Sequence, residues 1–435
     1  MSEKESSLID LKLNGTAAPN IIVKAIGVGG GGGNAVAQMY ADGIEGVEFL
    51  VCNSDKKAID DSPVPNKLPI GTLGCGGDPA KGKERAEEHI EEIDKALSDG
   101  TRMAFITAGM GGGTGTGASP VIAREAKKLG ILTVGVVTLP FLFEQQRQID
   151  KALDGLDVLA REVDSLLIIN NQRILDIYPS LSVIDGFKKA DETLTNAVSS
   201  IVNIIGMRGK MNLDFEDVFS VLHGGGVSVI SSATASGESR VTQAIEKAIY
   251  SPLLNNRDVY RSQKIAVSIA FNPAPESTLM MEEFNEIHNF MRKFGPDVWT
   301  KWGLREDPSL GDKVEIIILA SGFGLYADKP EEKATTASAE DENRRKQQIS
   351  GFYPEMASGR RPLGRRKRPS TYIFSQEDLD NEKISEIVDS TPTYKRTEFQ
   401  MRKIFAISKP KVEEEKEETQ TETSTVISFD MTDKK

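Results

Sequence analysis

This chain of 435 residues is poor in cysteine, histidine and tryptophan: it has 2 Cys, 3 His and 2 Trp, and only 6% of it is aromatic. Cys52 and Cys75 make neither a disulfide framework nor a zinc site, which points to a reducing, cytoplasmic setting. His89, His223 and His288 are widely separated and lack the Ser, Cys or metal-ligand company of a catalytic imidazole. No apolar run is long enough to span a bilayer, and Met1–Asn20 is polar rather than signal-like. Basic excess is also missing. The formal net charge of −12 argues against duplex nucleic acid as the partner, while leaving a single nucleotide open. Gly-x-x-x-x-Gly-Lys-Ser/Thr is absent, so there is no ordinary P-loop, and no set of residues is spaced as metal ligands.

Glycine, by contrast, is concentrated in two tracts. Gly109-Met110-Gly111-Gly112-Gly113-Thr114-Gly115-Thr116-Gly117 follows the strand-like run Met103–Thr107. With so little side chain, its backbone N–H groups can line a concave anion cradle, and the two threonine hydroxyls add donors without bulk. Ser119 and Pro120 suit the first turn of a helix whose positive dipole end faces the same anion. The other tract, Gly29-Gly30-Gly31-Gly32-Gly33-Asn34, joins a first strand, Ile21–Val28, to a first helix. Together the tracts predict a nucleotide polyphosphate, its charge met by backbone N–H groups, helix dipoles and Mg²⁺.

From Ile21 to about Asn171, apolar strands (Val47–Asn53, Met103–Thr107, Ile131–Leu139, Ser165–Ile169) alternate with helical stretches (Ala80–Leu97, Pro120–Leu129, Glu144–Val163). Strands apolar on both faces belong to a parallel sheet covered by helices, so residues 21–182 read as a doubly wound, Rossmann-like α/β domain with its ligand at the strands' C-terminal edge. Ile184, Phe187, Leu194, Val198, Ile201 and Ile205 recur at helical spacing, which predicts a long central helix over 183–210. Residues 211–217 form a loop, and 218–328 a second, smaller α+β domain with strands Val227–Ser231, Lys264–Phe271 and Val314–Ala320 and helices Val241–Tyr250 and Glu282–Lys293. Trp299 and Trp302 read as core or edge-strand packing there. Residues 1–20 read as a flexible arm. Residues 329–435, with the basic run Arg360–Arg368 and the acidic run Glu413–Glu418, read as a disordered linker and partner-binding tail, because they are too polar to offset their ordering entropy. Short apolar islands within it (Tyr372–Phe374, Ile404–Ile407, Val426–Phe429) are docking motifs or incidental hydrophobes.

Taken together and in this order, the motifs resemble the tubulin/FtsZ superfamily of polymerising GTPases. The matching residues are Ile26–Asn34, Ala108–Gly117, Pro140-Phe141-Leu142-Phe143-Glu144, Met211–Asp217 and Ser251-Pro252-Leu253-Leu254, within a similarity running from about Ile21 to Gly324. The Asn212-x-Asp214-Phe215-x-Asp217 loop and the Glu144 region favour the FtsZ side over tubulin. The resemblance implies GTP or GDP bound with Mg²⁺, with Gly30, Gly31, Gly32, Gly33, Asn34, Gly111, Gly112, Gly113, Thr114, Gly115, Thr116 and Gly117 on the phosphates. It further implies Glu144 on the ribose, with Arg147 and Gln148 nearby, Phe187 on guanine and Asp191 at the base edge. Gly74-Cys75-Gly76-Gly77 would sense the γ-phosphate. Asn212, Asp214 and Asp217 would be the catalytic loop that completes the next subunit's site, while the plain reading of Asp214 and Asp217 is a cap on the following helix. Head-to-tail homopolymers building the division ring on the inner face of the membrane are implied too, with adaptor proteins on the C-terminal tail, only indirect membrane contact and no nucleic acid.

The sequence departs from the superfamily pattern at several points. Asp191-Glu192 stands where an Asn-Asp pair reads guanine, leaving either carboxylate as the reader. Gln148 stands where an arginine is expected, with Arg147 one place earlier, and Gln145 replaces a glycine. No docking peptide is recognisable in Thr421–Lys435. Two rivals remain: a nucleotide-binding filament scaffold without significant hydrolysis, and a Rossmann oxidoreductase.

Overall fold

The computed structural model describes residues 22–206, 209–249 and 259–324, together with 345, 347–349 and 351–353. The N-terminal arm, Ser251–Leu254, Arg360–Arg368 and the apolar islands of the tail lie outside the described residues. The chain opens with β1 (Ile22–Val28), α1 (Gly29–Ala41), β2 (Val47–Asn53), α2 (Lys56–Asp60), β3 (Asn66–Pro69), α3 (Pro79–Glu88) and α4 (Ile90–Leu97). It continues through β4 (Thr101–Gly109), α5 (Thr114–Lys128), β5 (Leu132–Leu139), α6 (Gln146–Glu162), β6 (Ser165–Asn170), α7 (Asn171–Ile177) and α8 (Val183–Gly206). These strands pair in the order β3-β2-β1-β4-β5-β6, all parallel, which is the doubly wound arrangement.

Alternate residues of each strand feed two cores. Ala25, Val51, Phe105 and Val136 pack with Ala35 and Met39 of α1 and Leu194, Val198 and Ile201 of α8. Ile26, Cys52, Ile106 and Val137 pack on the opposite side with Val121 and Ile122 of α5 and Leu153 and Leu156 of α6. The C-terminal edge of the strands is thereby left between two helical layers, with the glycine tracts at its centre.

The second part contains β7 (Gly209–Met211), α9 (Phe215–Leu222), β8 (Gly226–Ala235), α10 (Arg240–Ile249), β9 (Lys264–Phe271), α11 (Met281–Met291), β10 (Trp299–Glu306) and β11 (Val314–Phe323). Its strands extend the same sheet: β8 runs parallel to β6 through Ser165–Leu167, and the order continues β8-β11-β9-β10-β7. β10 is a near-edge strand with Trp302 edge-on to Phe284 at 4.9 Å between ring centroids.

Several elements differ from the sequence reading. The first glycine tract is not a turn before the helix: the chain turns at Gly29 (φ +71°), and the remaining glycines lie inside α1. Helix α5 begins at Thr114 rather than near Ser119, so Pro120 sits inside it. The stretch Ala80–Leu97 is two helices broken at His89, whose ring Nδ1 lies 2.8 Å from the Arg85 carbonyl oxygen. Within 329–435, Arg345 and residues 347–349 and 351–353 pack back on the folded unit, with Phe352 and Tyr353 buried in the core beneath α6.

Candidate functional site

Two helix N-termini meet at the C-terminal ends of the adjacent strands β1 and β4. They approach so closely that a Cβ on Gly29 would lie 2.7 Å from the backbone nitrogen of Gly115, and one on Gly32 would lie 2.0 Å from the Thr107 carbonyl oxygen. Those glycines serve backbone packing. Gly30, Gly33 and Gly112 differ: a Cβ there would meet nothing within 4 Å. Their bareness does nothing for the protein's own packing and leaves room for something outside the chain. Helices α2, α3, α7 and α9 each begin on an Asp or Asn side-chain cap, whereas α1, α5 and α6 begin with no side-chain cap and no acidic residue in the first turn, and of these α1 and α5 meet at the ends of β1 and β4. Uncapped first-turn N–H groups and two dipole ends aimed at one spot make an anion site from backbone alone.

The threonine hydroxyls expected to face the ligand are turned inward. Thr116 Oγ1 accepts the Gly111 N–H at 2.8 Å, and Thr114 Oγ1 shares a 2.7 Å hydrogen bond with Ser54 Oγ. Buried Cys75 donates its thiol to the same Ser54 hydroxyl at 3.2 Å. The three side chains tie α5, the residue that follows β2 and the Gly74–Gly77 loop together beneath the backbone cradle. Beside that loop lies a cavity of about 480 Å³ lined by Gly74–Asp78, Lys81, Arg147 and Lys151. Three cations facing one carboxylate suit the outer end of a polyphosphate. Lys81 and Lys151 were missed in the sequence, although Arg147 and Lys151 share one helix face at i, i+4. Gln148 does not line this cavity. Its carbonyl oxygen packs on Gly111, where a Cβ would meet it at 2.9 Å.

On the other side, Glu144 closes a short 3₁₀ turn, Leu142–Glu144, and its carboxylate accepts the Phe141 N–H at 2.9 Å. The next residue, Gln145, has φ +79°, a region that favours the glycine it replaces. Phe141 stacks on Phe143 at 4.9 Å and meets Phe187 edge-on at 5.1 Å, leaving Phe187 41% exposed near the start of α8. Asp191, one turn further on, is half-buried and has no ion-pair or hydrogen-bond partner among the described residues. Burial pushes its carboxyl up to about 6. Glu192 is exposed and tied to Lys189 at 2.8 Å. Of the two carboxylates, Asp191 is the desolvated and unengaged one.

The Asn212–Asp217 loop lies elsewhere. Asp214 Oδ1 caps α9 by accepting the Asp217 N–H at 3.0 Å, and Asp217 Oδ2 accepts the Asp214 N–H at 3.1 Å. Asp217 is buried and paired with the Lys301 ammonium, while Asn212 and Asp214 are exposed. Arg102 fixes where this end sits: it reaches Glu216 at 3.2 Å and lies 4.5 Å over the Phe215 ring. Arg102 is at the N-terminal end of β4, and Gly109 at its other end starts the second glycine tract. At strand rise those ends are roughly 23 Å apart. The acidic loop and the glycine cradle of one chain are therefore at opposite edges of the sheet.

With this geometry in place, comparison with known proteins is decisive. The profile of the tubulin/FtsZ family GTPase domain matches residues 22–179, that of the FtsZ family C-terminal domain matches 226–324, and an FtsZ C-terminal profile matches 366–411. The cell division protein FtsZ of Porphyromonas gingivalis is 40% identical over 411 residues, covering 90% of this chain and 89% of its own. The chain belongs to the FtsZ family. It is a GTP-dependent, filament-forming cell-division protein. The Aquifex aeolicus cell division protein FtsZ is 41% identical over 317 residues, covering 72% of this chain and 84% of its own. Among solved structures, an empty FtsZ dimer from M. jannaschii shares 33% identity with a TM-score of 0.64, over 73% of this chain and 94% of that one. A GTPγS-bound CetZ2 protofilament from Haloferax volcanii, at 20% identity and a TM-score of 0.60, shares the fold over 75% of this chain and 98% of that one.

The oxidoreductase rival falls with this family membership. The FtsZ C-terminal match at 366–411 lies upstream of Thr421–Lys435, where no docking peptide is recognisable, and outside the described residues. Among the described residues no helix is long and apolar enough to cross a membrane.

Proposed function

We propose that this FtsZ-family chain hydrolyses GTP between successive subunits of a head-to-tail filament, the glycine cradle of one completed by Asn212, Asp214 and Asp217 of the next. One observation carries the reading: the acidic loop and the cradle sit at opposite edges of the same sheet, joined by the nine-residue strand β4, so one protomer cannot bring them together. Head-to-tail stacking can. Carboxylates kept away from a triphosphate avoid like-charge repulsion until assembly delivers them, which makes cleavage conditional on the polymer.

In this reading the Gly30–Asn34 and Gly111–Gly117 stretches hold the α- and β-phosphates through the backbone N–H groups left unspent at the starts of α1 and α5; the Gly111 N–H is held by Thr116 Oγ1 and the Gly117 N–H by the Gly113 carbonyl oxygen. Lys81, Arg147 and Lys151 meet the γ-phosphate over the Gly74–Gly77 loop. Glu144 takes the ribose, Phe187 the guanine face, and Asp191 the N–H edge of guanine. Among the described residues no three His, Cys, Asp or Glu side chains gather as metal ligands. The donor set fits a Mg²⁺ held chiefly by phosphate oxygens and water near Asp78, where it would neutralise phosphate charge. Asp214, exposed at the start of α9, orients the attacking water, and backbone amides stabilise the charge that develops on the phosphoryl oxygens. The filament works at the division site, with adaptors on the C-terminal tail.

The test is phosphate release per subunit across protein concentrations, read alongside light scattering. Turnover rising steeply above a threshold concentration, together with scattering, is the expected result. Constant turnover per subunit at every dilution overturns the shared site. Scattering with negligible turnover supports the passive scaffold.

A further inference from the structure

The described residues beyond 329 pack against the loop that carries Glu144. The Tyr353 hydroxyl donates to the buried Pro140 carbonyl oxygen at 2.8 Å, and Tyr353 is 1% exposed. The neighbouring Phe352 carbonyl oxygen accepts from Asn170 Nδ2 at 2.6 Å. That same amide's oxygen caps α7 through the Gln172 N–H at 3.0 Å, and the Gln172 side-chain oxygen accepts the Leu142 N–H at 3.2 Å. The residue between Pro140 and Leu142 is Phe141, whose N–H holds Glu144 and whose ring meets Phe187. Further upstream, Arg345 reaches Asp154 at 2.8 Å and Gln348 reaches Asp157 at 2.9 Å, fastening the strap along α6.

We infer that Tyr353 is a positioning residue for the nucleotide: its strap clamps the Pro140–Glu144 turn so that Glu144 is set for the ribose before ligand arrives. The inference rests on the assignment of Glu144 to the ribose made above. Packing alone does not need the hydroxyl, since a phenyl ring would fill the same space. The hydroxyl instead donates to a main-chain carbonyl of the very turn that holds Glu144. Burial first, and the Glu144 charge second, push the phenol's pKa up, so it remains a donor throughout the working pH range. The consequence is a physical link between nucleotide affinity and the packing of the 345–353 segment.

The test uses the full-length chain below its assembly threshold and measures affinity for GDP and for 2′,3′-dideoxy-GDP, with thermal unfolding in parallel. Tyr353→Phe leaves the Pro140 carbonyl buried without its donor. It is expected to weaken GDP binding about threefold to tenfold while sparing the dideoxy analogue, so that discrimination for ribose narrows. Glu144→Gln is expected to do the same, and the double variant to lose no more than the larger single loss. Tyr353→Phe that lowers the unfolding temperature but keeps wild-type ribose discrimination, with Glu144→Gln losing it, overturns the inference alone. Glu144→Gln with undiminished discrimination overturns the ribose assignment and the inference together.

Discussion

Two sets of helix N-termini stand at opposite edges of the sheet, and they are built in opposite ways. At one edge α1 starts on Gly29 and α5 directly follows Gly113, both with no side-chain cap and no acidic residue in the first turn. At the other edge α9 starts on a reciprocal pair of aspartates that satisfy each other's backbone donors. The first turns of α1 and α5 carry no carboxylate, whereas α9 opens on Asp214, Glu216 and Asp217. A side-chain cap of the second form contributes about 1 kcal/mol to its helix. Leaving two neighbouring helices uncapped at one point costs stability unless an anion supplies what the caps do not. Under the proposed shared site, head-to-tail stacking would bring the carboxylates of one edge to a nucleotide held at the other.

The comparison is broken most severely by neutralising the acidic edge. Asp214→Asn keeps a capping side chain, so stability should change by less than about 0.5 kcal/mol. Steady-state phosphate release should nevertheless fall by at least about 100-fold with GDP affinity unchanged. Equal losses in binding and turnover would place Asp214 in the cradle of its own chain.

Next in size is the bare edge. Gly112→Val adds a side chain where nothing stands within 4 Å, so it should weaken nucleotide binding by at least about tenfold with little change in unfolding temperature. Gly33→Ala should go further in separating the two roles, raising helix stability by up to about 1 kcal/mol while lowering affinity. Gly32→Ala, whose Cβ would collide with the Thr107 carbonyl, should destabilise the fold instead.

The base end should show a smaller, pH-dependent effect. The Asp191 carboxyl is pushed up from 3.8 to about 6 by burial, so lowering the pH through 6 removes its negative charge and GDP affinity should decline. Asp191→Asn should flatten that profile, as measured by titration calorimetry from about pH 7.5 to about pH 5. The stability contribution has the opposite sense. A raised carboxyl pKa means this group favours the folded state most below about 4, and that contribution is lost as pH rises through about 6. The smallest effect expected is at Gln145. Glycine there relieves a φ of +79°, and after its own entropic cost should raise stability by about 1 kcal/mol in thermal unfolding.

Much of the parallel sheet was legible because its strands are written in residue type. β2 and β9 match their sequence expectations to the residue, since runs such as Val47–Asn53 are apolar on both faces. The helical state of Gly30–Gly33 was hidden, because glycine has a poor helix propensity and only packing against β4 and α5 overrides it. The break at His89 was missed because Ala80–Leu97 carries helical spacing on both sides of it. β10 reads Trp-Thr-Lys-Trp-Gly-Leu-Arg-Glu, too polar for an interior strand, and becomes one by pairing with β9 and the edge strand β7. Lys81 and Lys151 come from different helices, so their meeting over the Gly74–Gly77 loop is a tertiary fact. Phe352 and Tyr353 stand in a polar stretch, and only the fold shows that they return to the core.

The most direct test of a pocket shared between subunits is complementation. Asp214→Asn chains keep a sound cradle and Gly112→Val chains keep a sound acidic loop, so each alone should be nearly inactive. An equal mixture of the two should regain about a quarter of wild-type turnover, because one interface in four joins the intact halves. Sedimented polymer that contains both chains yet releases no phosphate would contradict the account.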